Sequence, residues 1–364
     1  MLYSLQDITL IPATVSDISS RSQCNPHADD FGMLPLFVAP MSSVIDDKNW
    51  RTFHNNKINT IIPRNIDLET RLKLSHNQLT FVAFSLDEFE THFCVKISYK
   101  ANVLIDVANG HMKKLIDFCK KSKELNGDNI VIMAGNVANP QTYFEYASAG
   151  IDYCRMSIGS GSQCTTANTG IFYPMASLLI ETNKYKKSIK ELIKAWPEQS
   201  DCLYKSAPKI IADGGFNTFG DIIKALALGA DYVMCGKIFA KSVEACGEIC
   251  SKIKPLDYDS SKDGTFNEWI RTQDIYEIKF LECYREYYGM STKRAQIEFG
   301  KEGTKTEEGI ESRIKIEYCI SDWIHKFTDY LCSAMSYTNA KNLNEFIGKV
   351  EYDILSPTSI RKFK

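Results

Sequence analysis

The chain has 364 residues, 44% of them apolar and 24% charged, and its 43 basic and 45 acidic side chains give a net charge of −2. This balance offers no basic field for a phosphate polymer, and no apolar run reaches the roughly 18 residues of a membrane span, so we expect neither nucleic acid nor membrane as a partner. The twelve cysteines never form a CxxC pair and the start lacks a basic leader, which predicts reduced thiols in a cytoplasmic protein.

Eight apolar runs of strand length follow one another along the chain, and most are separated by stretches with helical periodicity. The helical stretches begin at His111, Pro140 and Phe219, while residues 188–207 and the polar stretch from Lys254 are predicted as loops. This alternation predicts an α/β fold, a (β/α)₈ TIM barrel with a C-terminal extension. An open doubly wound sheet is the alternative, although no GxGxxG follows an early strand. The runs begin near Phe37, Asn59, Phe81, Asn102, Asn129, Tyr153, Lys209 and Tyr232.

Polar residues and glycines cluster where these predicted strands end. Barrel enzymes place their active sites at this edge, although Gly and Asn also form ordinary turns at strand ends. Five successive ends with this composition favour a functional edge. The residues are Asp106, Asn109, Gly135, Asn136, Asp213, Gly214, Gly215 and Gly236, with Gly159 and Gly161 after the sixth strand.

One cysteine has a context unlike that of the others. The segment SIGSGSQCTT, residues 157–166, places Cys164 after a run of small residues and before two hydroxyls. Glycines allow close approach of a ligand to the backbone, and an accessible thiolate is a nucleophile. A buried thiol beside a tight turn is the competing interpretation, and composition alone does not decide between them.

This loop, with IMAGNV upstream, IADGGFNTFGDIIKALALGADYVMCG downstream, and then YYGMST and EEGIESRI, resembles the IMP dehydrogenase/GMP reductase family. The resemblance implies a barrel, usually a homotetramer, in which Cys164 attacks carbon 2 of a purine nucleotide and hydride moves to or from a nicotinamide. It also implies one catalytic domain over residues 1–364, with an active-site flap over 287–311. Fewer than about 40 residues separate Asn65 from Val103, which excludes the paired regulatory CBS modules that most dehydrogenases carry there.

The resemblance also implies roles for individual residues. The 5′-phosphate would lie among Ser162, Gly214, Gly215 and Gly236, with Asp213 on the ribose, and Lys237 stands where the family has a small residue. Asp106 and Asn109 would lie near the nicotinamide ribose, although a local Asx turn is an equal alternative. The pocket would be completed by Gly289, Met290 and Ser291, and a potassium ion would be held by the carbonyls of Gly159, Gly161 and Cys164.

The two branches of the family differ in how the covalent intermediate is formed and resolved. Dehydrogenases use an Arg-Tyr pair on a flap to activate water, and no such pair stands between Met290 and Glu308. Thr166 and Glu308 match the reductase pair that relays a proton to departing ammonia, and DVANG is typical of reductases. We therefore expect NADPH-dependent reduction of GMP to IMP. An IMP dehydrogenase, a barrel acting on another purine (deoxy)nucleotide and a non-catalytic binding protein remain alternatives.

Overall fold

The computed structural model describes residues 1–161, 166–196, 204, 206–252, 269–271, 283–289, 292–298, 309–356 and 359. Eight parallel strands, all at the positions predicted, form a barrel in which each strand pairs with its neighbour along the chain. A parallel bridge between Phe37 and Asn59 joins the first strand to the second and closes the barrel. The strands are β2 (Leu36–Val38), β3 (Ile61–Ile62), β4 (Phe81–Phe84), β5 (Ala101–Asp106), β6 (Ile130–Val137), β7 (Tyr153–Met156), β8 (Lys209–Asp213) and β9 (Tyr232–Cys235).

Helices connect these strands and cover the outside of the barrel, as the periodicity predicts. They are α1 (Trp50–Asn55), α2 (Leu68–Ser75), α3 (Leu86–Phe93), α4 (Lys113–Asn126), α5 (Thr142–Ser148), α6 (Met175–Ala195), α7 (Phe219–Ala227) and α8 (Lys237–Ala240). The loop prediction for 188–207 is wrong at its start, because α6 continues through residue 195. Ile189 in that part of α6 is fully buried, so one apolar contact per turn suffices to extend a helix that is otherwise lysine-rich.

Strand alternation divides the apolar residues into two clusters. Outward-facing positions pack against the helices in the larger cluster, and inward-facing positions fill the barrel. Near the amino ends of the strands the filling is aromatic, with ring centroids 5.2 Å to 6.3 Å apart among Phe37, Phe81, Tyr153 and Tyr232. Leu104, Met133, Ile211 and Met234 belong to the same interior cluster. The barrel interior is therefore a packed core below the carboxyl ends of the strands.

Two of the β/α units contain the same kind of ion pair, which is part-buried at Lys123–Asp152 and buried at Lys186–Asp231. Asp152 and Asp231 each come directly before a strand, in AGIDY and LGADY, and each carboxylate accepts a backbone N–H of the preceding strand at 2.7 Å. A helix lysine completes each pair, Lys123 at 2.7 Å and Lys186 at 2.6 Å. The same local sequence thus has the same role twice: its aspartate joins the start of one strand to the preceding strand and to a helix lysine.

The rest of the described part of the chain adds two small sheets and three α-helices. Strand β1 (Ile8–Leu10) pairs antiparallel with β14 (Tyr352–Ile354). An antiparallel sheet has the order β11-β10-β12-β13 and consists of β10 (Ile249–Lys252), β11 (Trp269–Arg271), β12 (Cys283–Tyr288) and β13 (Glu311–Lys315). The helices are α9 (Lys293–Glu298), α10 (Ile320–Tyr337) and α11 (Leu343–Phe346). Helix α10 packs its Trp323 ring 5.1 Å from Phe219 of α7 and 5.5 Å from Phe239 of α8.

The buried Arg285 of β12 ties the four-stranded sheet to the barrel. Its guanidinium donates to the carbonyl oxygens of Ser242, Val243 and Gly247, at 3.1, 3.0 and 2.5 Å. Desolvation lowers the pKa of Arg285 to about 10. Within the described ranges, no helix is long and apolar enough to cross a membrane.

Candidate active site

Three charged side chains meet inside the barrel at the carboxyl ends of β5, β7 and β8. Asp106 and Asp213 are the last residues of their strands, and Arg155 faces inward from β7 between them. The Arg155 guanidinium donates from Nη1 to Asp106 Oδ1 at 2.7 Å and from Nε to Asp213 Oδ2 at 2.8 Å. All three side chains are about one-tenth exposed. The arrangement is a buried cation shared by two carboxylates.

The charge state of this group follows from its surroundings. Desolvation acts to lower the pKa of Arg155, but the carboxylates of Asp213 and Asp106 outweigh it, and the net effect is a raised pKa. Within the described residues, the second oxygen of each carboxylate has no hydrogen-bond partner. Arg155 therefore orients two carboxylates and leaves each with an acceptor oxygen for a ligand.

The neighbouring edge of β5 and β6 carries amide and imidazole groups. The Asn136 side-chain oxygen is buried and has no hydrogen-bond partner among the described residues. Arg64 reaches across from β3 and donates to the Asp106 carbonyl at 3.2 Å. Asn109 Oδ1 accepts the His111 N–H at 3.0 Å, which is the Asx turn considered as the alternative to a cofactor contact.

His111 fastens the loop that follows β6. Its Nε2 accepts the Ala138 N–H at 3.1 Å, and its Nδ1 lies 2.9 Å from Thr142 Oγ1. Because the backbone amide is a donor, Nε2 carries no proton and the ring is neutral. Desolvation accordingly lowers the pKa of His111.

The glycine loop after β7 packs directly on the loop after β8. Ser160 Oγ donates to the Asp213 carbonyl at 3.0 Å and lies 2.7 Å from Ser157 Oγ. Gly215 has φ = +85°, and a Cβ there would lie 2.9 Å from the Ser160 carbonyl oxygen. The two loops can approach this closely only because Gly215 has no side chain. The chain therefore enters the segment containing Cys164 from directly above the end of β8.

Gly236, after β9, is a second point of close approach. A Cβ there would lie 2.7 Å from Met41 Sδ and 2.8 Å from Tyr287 Oη. Met41 follows β2, and Tyr287 comes from β12, so the four-stranded sheet contributes a hydroxyl to the edge of the barrel. The loops after β2, β7, β8 and β9 thus converge on one side of the mouth, where the phosphate was predicted.

The structure brings together part of the predicted site. Gly159, Gly161, Asp213, Gly214, Gly215 and Gly236 lie on the convergent loops, and Lys237 begins α8 with its Nζ 3.5 Å from Asn217 Oδ1. Thr166 begins a short 3₁₀ turn, Thr166–Thr169, and the Gly289 carbonyl accepts the Thr292 hydroxyl at 2.8 Å. The remaining predicted residues lie outside the described ranges, namely Ser162, Cys164, Met290, Ser291 and Glu308, as do residues 299–308 of the expected flap.

Besides His111, three residues of the site were not predicted from the sequence. They are Arg155, Arg64 and Tyr287. The sequence contained one indication of the role of Arg155, because it is a cation within an otherwise apolar strand. A charge in a strand whose side chains are all covered is expected to be paired. For the other two, local sequence offered no comparable signal, because their proximity to Asp106 and Gly236 arises from separate parts of the chain.

The ligand atoms available at the site limit which metal ions and cofactors it could bind. Among the described residues no group of three or more His, Cys, Asp or Glu side chains could hold a metal ion. A potassium ion of the kind the resemblance implies would depend on carbonyl oxygens instead, and Gly159 and Gly161 are half-buried residues of the glycine loop. For a nicotinamide ribose, Asn136 Oδ1 and the second oxygen of Asp106 are acceptors on adjacent strands that have no partner among the described residues.

Comparison with known proteins agrees with this geometry. Residues 87–256 match the family model described as IMP dehydrogenase / GMP reductase domain. The chain is 27% identical over 366 residues to the GMP reductase of Bacillus subtilis (strain 168), which covers 97% of this chain and 96% of the relative. It is 28% identical over 367 residues to the GMP reductase of Staphylococcus aureus (strain MRSA252), with the same coverage. These similarities show that residues 87–256 carry an IMP dehydrogenase / GMP reductase domain and that nearly the whole chain is similar to GMP reductases, in agreement with the barrel and its polar edge.

Proposed function

We propose that the protein is a GMP reductase that converts GMP to IMP and ammonia with NADPH. The observation that carries the proposal is the Asp106–Arg155–Asp213 group at the carboxyl edge, directly beside the glycine loop that leads into Cys164. A nucleophile, an orienting charge network and a glycine-lined edge are the parts that covalent chemistry on a nucleotide needs. The GMP reductases to which the chain is similar support this choice within the family.

The nucleotide is proposed to bind across the convergent loops. Backbone amides at Gly214, Gly215 and Gly236, with Ser162 and Lys237, bind the 5′-phosphate, and Tyr287 places its hydroxyl beside Gly236. The second oxygen of Asp213 accepts a ribose hydroxyl, since its first oxygen is held by Arg155. Gly289, Met290 and Ser291 complete the purine pocket. The base then lies toward Cys164, as the chemistry requires.

The covalent step uses the cysteine as the nucleophile. The Cys164 thiolate adds to carbon 2 of GMP, and Glu308, through the Thr166 hydroxyl, protonates the 2-amino group, which leaves as ammonia. This forms a thioimidate between Cys164 and carbon 2. Bound NADPH supplies the hydride that reduces carbon 2, after which the carbon–sulfur bond breaks and releases IMP and the thiolate.

The cofactor is proposed to lie on the side of β5 and β6. Asp106 offers a carboxylate oxygen and Asn136 a buried amide oxygen, and both suit ribose hydroxyl or carboxamide donors. Asn109 lies at the rim, where its side-chain oxygen already closes an Asx turn and its amide nitrogen remains as the donor. Carbonyls of Gly159, Gly161 and Cys164 are proposed to hold potassium, which would stiffen the loop that carries the nucleophile. We further propose a cytoplasmic homotetramer.

The test is nicotinamide absorbance with purified protein and potassium. GMP with NADPH should lose absorbance at 340 nm and release one ammonia per NADPH, whereas IMP with NAD should give no signal. Cys164→Ala should abolish turnover while it retains GMP binding, and Cys319→Ala, at an exposed cysteine before α10, should leave both unchanged. Signal with IMP and NAD alone would instead assign dehydrogenase chemistry. Turnover of another purine nucleotide, or binding without turnover by the unchanged protein, would also overturn the proposal.

A further inference from the structure

Lys237 places a cation at the rim of the convergent loops. It follows Gly236 directly, and its half-exposed side chain reaches from the loop after β9 to Asn217 in the loop after β8. The contact is long, 3.5 Å from Nζ to Asn217 Oδ1, which is the outer limit of a hydrogen bond. A lysine in such a contact is held weakly and can turn toward a better acceptor.

The acidic side chains of these loops are already engaged. Asp213 is held by Arg155. Asp221 accepts the backbone N–H groups of Asn217 and Thr218, both at 3.1 Å, and the Gln6 amide at 3.3 Å. In the described part of the chain Lys237 forms no ion pair, whereas Lys241 pairs with Glu317 at 3.0 Å. The ammonium at the rim is therefore available for an anion.

The neighbouring positions are without side chains. Gly214, Gly215 and Gly236 would offer a phosphate only backbone dipoles, which carry no net charge. An ammonium differs in kind, because it contributes a full charge and its attraction scales with the charge of the ligand. We propose that Lys237 makes recognition at this site depend on charge, selecting nucleotides whose 5′-phosphate is doubly ionised over singly charged phosphate esters. This inference rests on the phosphate position of the proposed function.

The experiment measures binding without turnover. Calorimetry at pH 7.5, where a phosphate monoester is mostly doubly ionised, compares GMP with guanosine 5′-methylphosphate, which carries one charge at any neutral pH. Inorganic phosphate serves as a third probe that lacks the base. The variants are Lys237→Ser, Lys237→Arg and the matched control Lys241→Ser, one helical turn away.

The unchanged protein and Lys237→Arg should prefer GMP over the methyl ester by about tenfold or more, in line with a charge-assisted contact. Lys237→Ser should lose most of that preference and weaken phosphate binding, while Lys241→Ser should match the unchanged protein. An equal preference in Lys237→Ser would overturn the inference, and so would an equal loss in Lys241→Ser. If the binding pattern appears but GMP is not turned over, the inference stands and the proposed reaction fails.

Discussion

At the scale of single residues, Arg155 changes how the site is understood. From the sequence, Asp106 and Asp213 had separate expected roles, one on the cofactor side and one on the nucleotide side. The structure joins them through one guanidinium, so the position of each carboxylate depends on the same arginine. A shift of the Arg155 guanidinium would therefore move both carboxylates.

Replacement of Arg155 by methionine should destabilise the protein strongly. It removes the cation from two buried carboxylates, and breaking a buried pair by deleting one partner typically costs about 3–5 kcal/mol. Urea unfolding would measure the change. Arg21→Met is the control, since Arg21 and Asp329 are both more than half exposed and the pair should contribute less than about 1 kcal/mol. Equal effects of the two substitutions would contradict the buried network.

His111 predicts a pH dependence of stability. Burial lowers the pKa of His111 in the folded protein, so the unfolded chain binds the proton more readily. The stabilising contribution of the neutral ring is therefore complete above the ordinary histidine pKa of about 6.5 and falls as the pH drops below it. Urea unfolding at pH 7.5 and 5.5 should show that His111→Gln loses less free energy of unfolding between the two pH values than the unchanged protein does. His76→Gln, which replaces an exposed histidine, should lose as much as the unchanged protein.

At the scale of elements, the site depends on how loops from separate β/α units pack together. The loop after β7 lies on the loop after β8 at Ser160 and Gly215, and Gly236 admits Met41 and Tyr287. Periodicity predicted the eight barrel strands and the helices that begin near His111, Pro140 and Phe219, since those patterns are local. It did not predict the four-stranded sheet. The strands of that sheet lie far apart in the sequence and pair only in the folded protein.

Gly215→Ala tests this packing of loops. The methyl group would meet the Ser160 carbonyl and must move the glycine loop, so GMP affinity should fall by about tenfold or more if the loop positions the phosphate. Gly32→Ala is the matched control. Its φ of +76° is close to the +85° of Gly215, but the nearest atom to its new Cβ is 3.9 Å away. Both variants carry backbone strain of order 1 kcal/mol, and calorimetry with GMP should separate them. An unchanged affinity of Gly215→Ala for GMP would show that this loop does not form part of the phosphate site.

At the scale of the whole molecule, the barrel has two different ends. The aromatic cluster of Phe37, Phe81, Tyr153 and Tyr232 fills the end opposite the site, and the charged group lies at the carboxyl edge. Barrel enzymes generally place their chemistry at that edge. Stability and ligand binding should accordingly be separable by mutation.

Phe81→Ala tests this separation. The ring is 8% exposed and packs edge-on against Phe37 and Tyr153, so its loss should cost about 3–5 kcal/mol in the free energy of unfolding. The affinity for GMP should remain within about twofold under conditions where the variant is folded. Phe31→Ala, at an 84% exposed ring, should change neither quantity. A large loss of GMP affinity in folded Phe81→Ala would show that the two ends are not independent.

The sequence by itself determined the barrel, the chain order of its strands and the edge that carries the polar residues. It could do so because strand and helix periods are local, and because strand ends in a parallel barrel face the same side. The motifs also indicated the family. Only the tertiary structure decided that Asp106 and Asp213 share Arg155, that Tyr287 reaches Gly236, and that His111 holds the loop after β6. Each of these contacts joins separate parts of the chain, and its geometry depends on how the barrel closes and how the other elements pack on it, which no local pattern encodes.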